Sequence, residues 1–164
     1  MLHTFQDIGV RPTSDRVKES LFQILSPRLY HARVLDLFCG SGALGLESLS
    51  RGAREAVFCD HSKESVALLK KNLTSLKEEG EIYACDFVSC LKRVGGQFDL
   101  IFADPPYQED HLKQILALVS ERNLLTEGGL VVYESERAQE GITGFCLSDE
   151  RSYGRARVCM WRRE

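Results

Sequence analysis

The sequence predicts an α/β fold in which helices cover both faces of a seven-stranded, mostly parallel sheet. Short apolar runs rich in β-branched and aromatic residues alternate along the chain with longer segments of helical periodicity. This alternation is typical of parallel strands joined by helices. The last two apolar runs are separated by a turn and not by a helix, so they predict an antiparallel hairpin that closes the sheet.

The first predicted element is a helix over about residues 14–25, because Val17, Leu21 and Leu25 recur at helical spacing before Pro27. A buried strand is predicted at 33–38. The glycine-rich segment 39–45 then turns into a second helix, which ends at Arg51 and Gly52.

The rest of the chain repeats this unit of strand, loop and helix. Further strands are predicted at 55–60, 81–84, 98–103 and 130–134, and further helices at 63–77, 86–94 and 109–121. The closing hairpin is predicted from strands at 145–149 and 155–161, on either side of the turn-prone Ser152-Tyr153-Gly154.

Length and composition predict one ordinary globular domain. The chain has 164 residues, of which 43% are hydrophobic and 27% charged, so we expect a single domain over 1–164, with an N-terminal segment and helix at 1–26 and the core at 33–164. The net charge of −3 argues against binding nucleic acid by bulk positive charge. The chain has no 18-residue apolar run and no leader pattern, so we expect a cytoplasmic protein with no membrane partner, and a monomer because no apolar surface stripe is evident.

The cysteines and histidines predict neither disulfides nor a metal site. The six cysteines form no CxxC pair and lie mostly in apolar runs, which is typical of buried free thiols. The four histidines share no helical spacing with each other or with a cysteine, and no metal is expected.

A glycine motif indicates a nucleoside cofactor. Gly40, Gly42 and Gly45 form G-x-G-x-x-G between a strand and a helix, and Asp60 ends the next strand, where a ribose-binding carboxylate is expected. Asp36, inside the first strand, would repel a pyrophosphate and attract an ammonium or a sulfonium group. The motif therefore favours S-adenosylmethionine over a nicotinamide dinucleotide, and a tight turn without a ligand is the alternative.

A second motif, Asp104-Pro105-Pro106-Tyr107, follows the fourth strand at the edge where parallel sheets bind ligands. The exocyclic amine of a nucleobase is a weak nucleophile, because its lone pair is delocalised into the ring. The Asp104 carboxylate and the Pro105 carbonyl could both accept hydrogen bonds from that amine and direct its lone pair at a methyl group. Tyr107 would stack on the base. A surface turn is the alternative.

Three segments together resemble a known family: Arg11-Pro-Thr-Ser-Asp-Arg-Val-Lys-Glu-Ser-Leu-Phe22, residues 35–47, and Asp104–Tyr107. They are similar to the class I S-adenosylmethionine-dependent methyltransferases, and specifically to the RsmD family of 16S ribosomal RNA guanine-N2 methyltransferases. The resemblance covers nearly the whole chain. It implies a Rossmann-like class I methyltransferase fold and methyl transfer to one guanine N2 of small-subunit rRNA, within an assembled or assembling subunit. S-adenosylhomocysteine would be released, and no metal is required.

The resemblance also implies site residues. Phe38 to Gly42 would wrap the methionine part of the cofactor beside Asp36, Asp60 would hold the ribose, and Asp86 with Phe87 would contact the adenine. The implied cofactor set is Asp36, Phe38, Cys39, Gly40, Ser41, Gly42, Asp60, His61, Asp86, Phe87 and Asp104. The implied catalytic set is Asp104, Pro105, Pro106 and Tyr107, and the implied substrate-binding set is Arg11, Thr13 and Tyr107.

Each role has an alternative. Asp86 could serve only as a helix cap, and Asp60 could be an exposed strand-end carboxylate. Basic residues near the C-terminus could be solubilising edge charges or phosphate contacts: Arg151, Arg155, Arg157, Arg162 and Arg163.

Two other activities remain open at this point. An adenine-N6 DNA or RNA methyltransferase would use the same Asp-Pro-Pro-Tyr chemistry, and a non-catalytic RNA-binding assembly factor would share the fold.

Overall fold

The computed structural model describes residues 15–106, 109–137 and 141–164, and within these ranges the chain forms five helices and seven strands. Arg11, Thr13 and Tyr107 lie outside the described residues. The helices are α1 (Asp15–Leu29), α2 (Ala43–Ser50), α3 (Lys63–Leu76), α4 (Phe87–Arg93) and α5 (Leu112–Glu121). The strands are β1 (Arg33–Leu37), β2 (Glu55–Cys59), β3 (Glu81–Tyr83), β4 (Phe98–Ala103), β5 (Leu125–Ser135), β6 (Phe145–Tyr153) and β7 (Ala156–Arg163).

All seven strands form one sheet in the order β3-β2-β1-β4-β5-β7-β6. The first five pair in parallel, whereas β7 is antiparallel to both β5 and β6. The chain builds outward from β1 through β2 to β3 and then crosses back to β4 on the other side of β1. Ligands of open α/β sheets bind at such a reversal, beyond the carboxyl ends of the strands.

Alternate residues of the strands pack against helices on opposite faces. Val34 of β1 lies in a core cluster with α1, whereas its neighbour Leu35 lies in a cluster with α4 and α5. Phe58 of β2 packs with α2 and α3. The sheet is therefore covered on both faces, which confirms the predicted α/β class.

Several element bounds differ from those predicted. Helix α1 continues through Pro27 to Leu29 and does not end at residue 25. Leu25 and Leu29 are both buried, so burial of one more apolar turn outweighs the hydrogen bond that proline removes near the helix end. Helix α5 begins at Leu112 and not at residue 109.

The strands at the C-terminal side are longer than predicted. Strand β5 begins at Leu125 and not at residue 130, and a register shift against β4 between Phe98 and Leu100 accommodates its two glycines. The hairpin strands continue to Tyr153 and to Arg163 through charged residues that apolar patterning does not mark as strand.

None of the described helices has both the length and the apolar content needed to cross a bilayer. The six cysteines are all free thiols, as predicted, but only four are buried, because Cys85 and Cys146 are half-buried.

Candidate active site

The loop after β1 makes a sharp turn that needs left-handed backbone. Phe38, Gly40 and Gly42 have φ of 54°, 55° and 87°. The Cys39 N–H donates to the carbonyl of Cys59 at 2.9 Å, and the Gly42 N–H donates back to the carbonyl of Cys39 at 2.8 Å. Left-handed backbone is uncommon for a residue such as Phe38 and marks a position that the surrounding structure holds in place.

The third glycine of the motif allows α2 to pack closely on the sheet. A Cβ atom on Gly45 would lie 2.4 Å from Cε1 of Phe58.

A buried amide, Asn72 of α3, donates from Nδ2 to the carbonyl of Ser41 at 2.9 Å and thereby anchors the glycine loop to α3. Asn72 was not predicted from the sequence as a residue of this site, although a polar residue between Leu69 and Leu73 on an apolar helix face indicates a buried hydrogen bond.

Asp36 is a buried carboxylate at the end of β1. Its side chain is 2% exposed, and Oδ2 accepts a hydrogen bond from the Gly45 N–H at 2.9 Å. Burial raises the pKa of this carboxyl well above its usual range, and the carboxylates of Asp104 and Asp60 raise it further. The carboxylates of Asp60 and Asp104 are therefore close enough to Asp36 to interact with it electrostatically.

Asp60 connects the glycine loop to the start of α3. One carboxylate oxygen accepts from the Gly40 N–H and the other from the Ser62 N–H, both at 2.9 Å. Its side chain is only 11% exposed, so it is not the exposed strand-end carboxylate considered as an alternative. The neighbouring His61 is exposed, with Nδ1 4.0 Å from Asp60 Oδ1.

Asp86 caps α4. Its Oδ1 accepts from the Ser89 N–H at 2.8 Å and its Oδ2 accepts from the Ser89 hydroxyl at 3.0 Å. These bonds, first of all the one from the Ser89 N–H, lower the pKa of Asp86. The capping role considered as an alternative is thus present, and each oxygen retains a lone pair for a further donor.

Three aromatic rings meet at this edge of the sheet, one from the glycine loop, one from the start of α4 and one from the residue before α5. The ring centroids of Phe38 and Phe87 are 5.2 Å apart, those of Phe87 and His111 4.7 Å, and those of Phe38 and His111 5.9 Å. These three residues are called the aromatic cluster below. His111 was not anticipated from the sequence, because it belongs to no motif.

Asp104, Pro105 and Pro106 directly follow β4. The last residue of β4, Ala103, is in register with Leu37 of β1, so Asp104 and Phe38 leave neighbouring strands at the same edge. Asp104 is half-buried, Pro105 is buried and Pro106 is exposed. The Pro106 carbonyl accepts from the Glu109 N–H at 3.2 Å.

The described members of the predicted cofactor set therefore all lie at the carboxyl edge of β1, β2, β3 and β4. Three carboxylates, hydrogen-bonding backbone groups and aromatic surface meet there, an arrangement that suits a nucleoside bearing positive charge. No three His, Cys, Asp or Glu side chains among residues 15–106, 109–137 and 141–164 are grouped so that they could hold a metal ion.

Most of the C-terminal arginines contact other groups of the same chain. Arg151 pairs with Asp149 at 3.2 Å and Arg157 with Glu150 at 3.1 Å on the exposed hairpin. Arg163 donates to the carbonyl of Leu125 at 2.6 Å. These contacts favour a structural role for the three side chains.

A family model and two named relatives each match most of this chain. The sequence model of a family described as "Conserved hypothetical protein 95" matches residues 1–162. The chain is 40% identical over 153 residues to "Ribosomal RNA small subunit methyltransferase D" of Haemophilus influenzae, covering 89% of this chain and 79% of that protein. It is 34% identical over 161 residues to the protein of the same name from Escherichia coli K12, covering 95% of this chain and 81% of that protein.

The fold is similar to that of a solved structure, the protein yhhF of Escherichia coli. The TM-score is 0.86 at 31% sequence identity, and the match covers 94% of this chain and 89% of the other.

Proposed function

This chain belongs to the RsmD family, the family whose sequence model matches residues 1–162, and we propose that it is an enzyme that methylates the exocyclic N2 amine of one guanine in 16S rRNA. Its fold is the Rossmann-like class I methyltransferase fold. The relatives named as small-subunit rRNA methyltransferases support the substrate class. The observation that carries the proposal is the convergence of Asp36, Asp60 and Asp104 where the strand order reverses.

These residues fit S-adenosylmethionine by charge. When bound, this cofactor supplies an electrophilic methyl group on a positively charged sulfonium. The glycine loop from Phe38 to Gly42 and the buried Asp36 would hold the methionine part, because an ammonium group relieves the repulsion among the three carboxylates. Cys39 and Ser41 contribute backbone groups to that loop, and the left-handed residues allow close approach of a ligand.

The nucleoside part has its own residues. Asp60 would accept hydrogen bonds from the ribose hydroxyls, since the Gly40 and Ser62 amides already orient both of its oxygens. His61 would lie at the exposed side of the ribose. Asp86 would accept from the adenine amino group while it caps α4, and Phe87 would contact the adenine ring.

Catalysis would consist mainly of positioning. The Asp104 carboxylate and the Pro105 carbonyl would hold the target amine, and the two prolines stiffen the backbone that presents them. Tyr107 would stack on the flipped base, and Arg11 with Thr13 would contact the substrate. The amine would lose its proton to water or to Asp104 after transfer, so no dedicated general base and no metal are needed.

The proposed rRNA substrate also indicates where the protein acts in the cell. We place the protein in the cytoplasm as a single-domain monomer that acts on small-subunit rRNA in an assembled or assembling subunit. S-adenosylhomocysteine would be its product.

Transfer of radiolabelled methyl groups from S-adenosylmethionine to small ribosomal subunits that lack their guanine-N2 methylations tests the proposal directly. After nucleoside digestion we expect label in N2-methylguanosine from a single site. Label in N6-methyladenosine would instead identify an adenine methyltransferase. RNA binding without cofactor binding or transfer would identify an assembly factor.

A further inference from the structure

A short network of hydrogen bonds connects the Asp104–Pro106 segment, which is proposed to hold the target amine, to strand β5. The Glu109 N–H donates to the Pro106 carbonyl at 3.2 Å, and Glu109 Oε2 lies 2.8 Å from Nε2 of His111. The His111 N–H in turn donates to the hydroxyl oxygen of Tyr133 at 3.0 Å. His111 is therefore held both by its ring and by its backbone, two residues beyond Glu109.

The ring of His111 belongs to the aromatic cluster. It lies 4.7 Å from the Phe87 ring and stacks on Phe38, with an interplanar angle of 13° at 5.9 Å between centroids. Phe38 is held in left-handed backbone in the glycine loop, and Phe87 begins α4. His111 thus has its backbone at the start of α5 and its ring against the glycine loop and the start of α4, both of which are proposed to hold the cofactor.

Tyr133 is a rigid anchor for this arrangement. It is fully buried in the core, at the position of β5 that is in register with Ala103 of β4. Burial raises the pKa of its phenol to about 12, so the hydroxyl stays neutral at physiological pH. A neutral phenol on a fully buried ring offers the His111 N–H an acceptor whose position is set by the core.

We infer that His111 is a positioning residue: through Glu109 and Tyr133 it holds the Asp104–Pro106 turn at a set distance from the aromatic wall of the cofactor site. The inference rests on the proposed function, since it assigns a role within that site. A methyl acceptor must be aligned with the sulfonium, and a displacement of about 1 Å can reduce turnover about a hundredfold. His111 contacts the cofactor wall directly and is linked to Pro106 through Glu109, so it is suited to maintain that alignment.

Three variants separate the parts of this connection. Tyr133→Phe removes the hydroxyl that accepts from the His111 N–H and that also bonds to the Asp110 side chain. His111→Ala removes the ring, and His111→Phe keeps a ring but loses the contact with Glu109. Gln114→Ala, at an exposed position of α5, serves as the control. Each is measured for S-adenosylhomocysteine binding by calorimetry, for kcat and KM of methyl transfer, for exchange of the His111 amide hydrogen, and for thermal unfolding.

We expect Tyr133→Phe to reduce kcat about tenfold and to speed His111 amide exchange, with S-adenosylhomocysteine affinity within about twofold of wild type. His111→Ala should reduce both kcat and affinity, by about tenfold and fivefold, and His111→Phe should restore the affinity and only part of kcat. This separation of turnover from affinity would not follow from a general loss of stability.

Wild-type kinetics in Tyr133→Phe and His111→Ala, in a protein whose wild type binds S-adenosylhomocysteine and transfers methyl groups, would overturn the inference alone. A uniform loss in all three variants that tracks their unfolding temperatures would overturn it as well. If the wild type binds no S-adenosylhomocysteine, the proposed function fails first and the inference fails with it.

Discussion

At the scale of single residues, Asp36 shows how the site and the stability of the fold oppose each other. A carboxylate that is 2% exposed loses hydration on folding, and the bond that it accepts from the Gly45 N–H does not offset this, because its pKa is raised overall. The proposed cofactor, which brings positive charge, would offset this cost.

Replacing Asp36 by Asn should stabilise the protein and weaken cofactor binding. The folded state keeps the Asp36 proton to a higher pH than the unfolded chain does, so this residue lowers the free energy of unfolding progressively as pH rises above about 4, until its raised pKa is passed. Asn keeps an acceptor for the Gly45 N–H. We expect a higher free energy of unfolding at pH 7.5, with a gain that becomes smaller near pH 4, measured by urea unfolding at both pH values. An unchanged difference between the two pH values would contradict it.

Asp104 and Asp60 should fail in opposite ways. Asp104→Ala should keep S-adenosylhomocysteine affinity within about threefold and lose at least a hundredfold in turnover, because it removes a group proposed to act on the amine. Asp60→Ala should weaken binding instead, because it releases the Gly40 and Ser62 amides and the proposed ribose contact. Calorimetry beside a methyl-transfer assay distinguishes the two patterns, and the reverse pattern would exclude this assignment of roles.

At the scale of elements, the glycine motif performs two separate tasks. Gly40 and Gly42 supply left-handed backbone to the loop, whereas Gly45 supplies the close contact between α2 and Phe58 of β2. The position of α2 therefore depends on one ring of the sheet.

Gly45→Ala should destabilise the protein by about 2 kcal/mol, since its Cβ would lie 2.4 Å from the Phe58 ring and the packed core cannot easily move. Gly95→Ala is the matched control, because a Cβ there would meet nothing within 4 Å. Chemical denaturation of both variants measures the difference, and equal stabilities would show that α2 shifts without resistance.

The capping role of Asp86 and its proposed contact with adenine can be separated at the start of α4. Ser is as good a helix cap as Asp but has a shorter side chain, so Asp86→Ser should retain stability within a few tenths of a kcal/mol and still lose cofactor affinity. Asp86→Ala should lose affinity and about 1 kcal/mol of stability. Full affinity in the Ser variant would leave capping as the only role of Asp86.

At the scale of the whole molecule, one core joins the closing hairpin to the parallel sheet. Trp161 of β7 is the single tryptophan, is 2% exposed, and belongs to the cluster that contains Leu35 of β1 and Ile115 of α5. Its indole Nε1 has no hydrogen-bond partner among the described residues. The Ser20 hydroxyl and the Tyr153 hydroxyl, 2.7 Å apart, join α1 to the same hairpin.

Unfolding should therefore be a single transition. Trp161 fluorescence should shift to longer wavelength on unfolding, with the same urea midpoint as far-ultraviolet circular dichroism. S-adenosylhomocysteine at a hundred times its Kd should add about 2.7 kcal/mol to the free energy of unfolding. Separate midpoints for the two signals would show that the hairpin unfolds on its own.

Local patterns predicted the elements and most of the residues that lie together at the carboxyl edge of the sheet. Apolar periodicity and turn residues act over a few positions, so the strand, glycine loop and helix from 33 to 52 are readable directly from the sequence. Element ends were less readable: burial of Leu29 carries α1 past Pro27, and pairing with β7 extends β6 through charged residues. In both cases a distant contact outweighs the local preference.

By itself, the sequence determined the α/β class, the glycine loop, the Asp104-Pro105-Pro106 turn and the carboxylates at the strand ends. Only the tertiary structure decided which of these groups meet. The Asp60 bond to Gly40, the Asn72 bond to Ser41 and the His111 bond to Tyr133 join residues 20, 31 and 22 positions apart. Such contacts follow from the order of strands in the sheet, which depends on packing of the whole chain and leaves no pattern within any one segment.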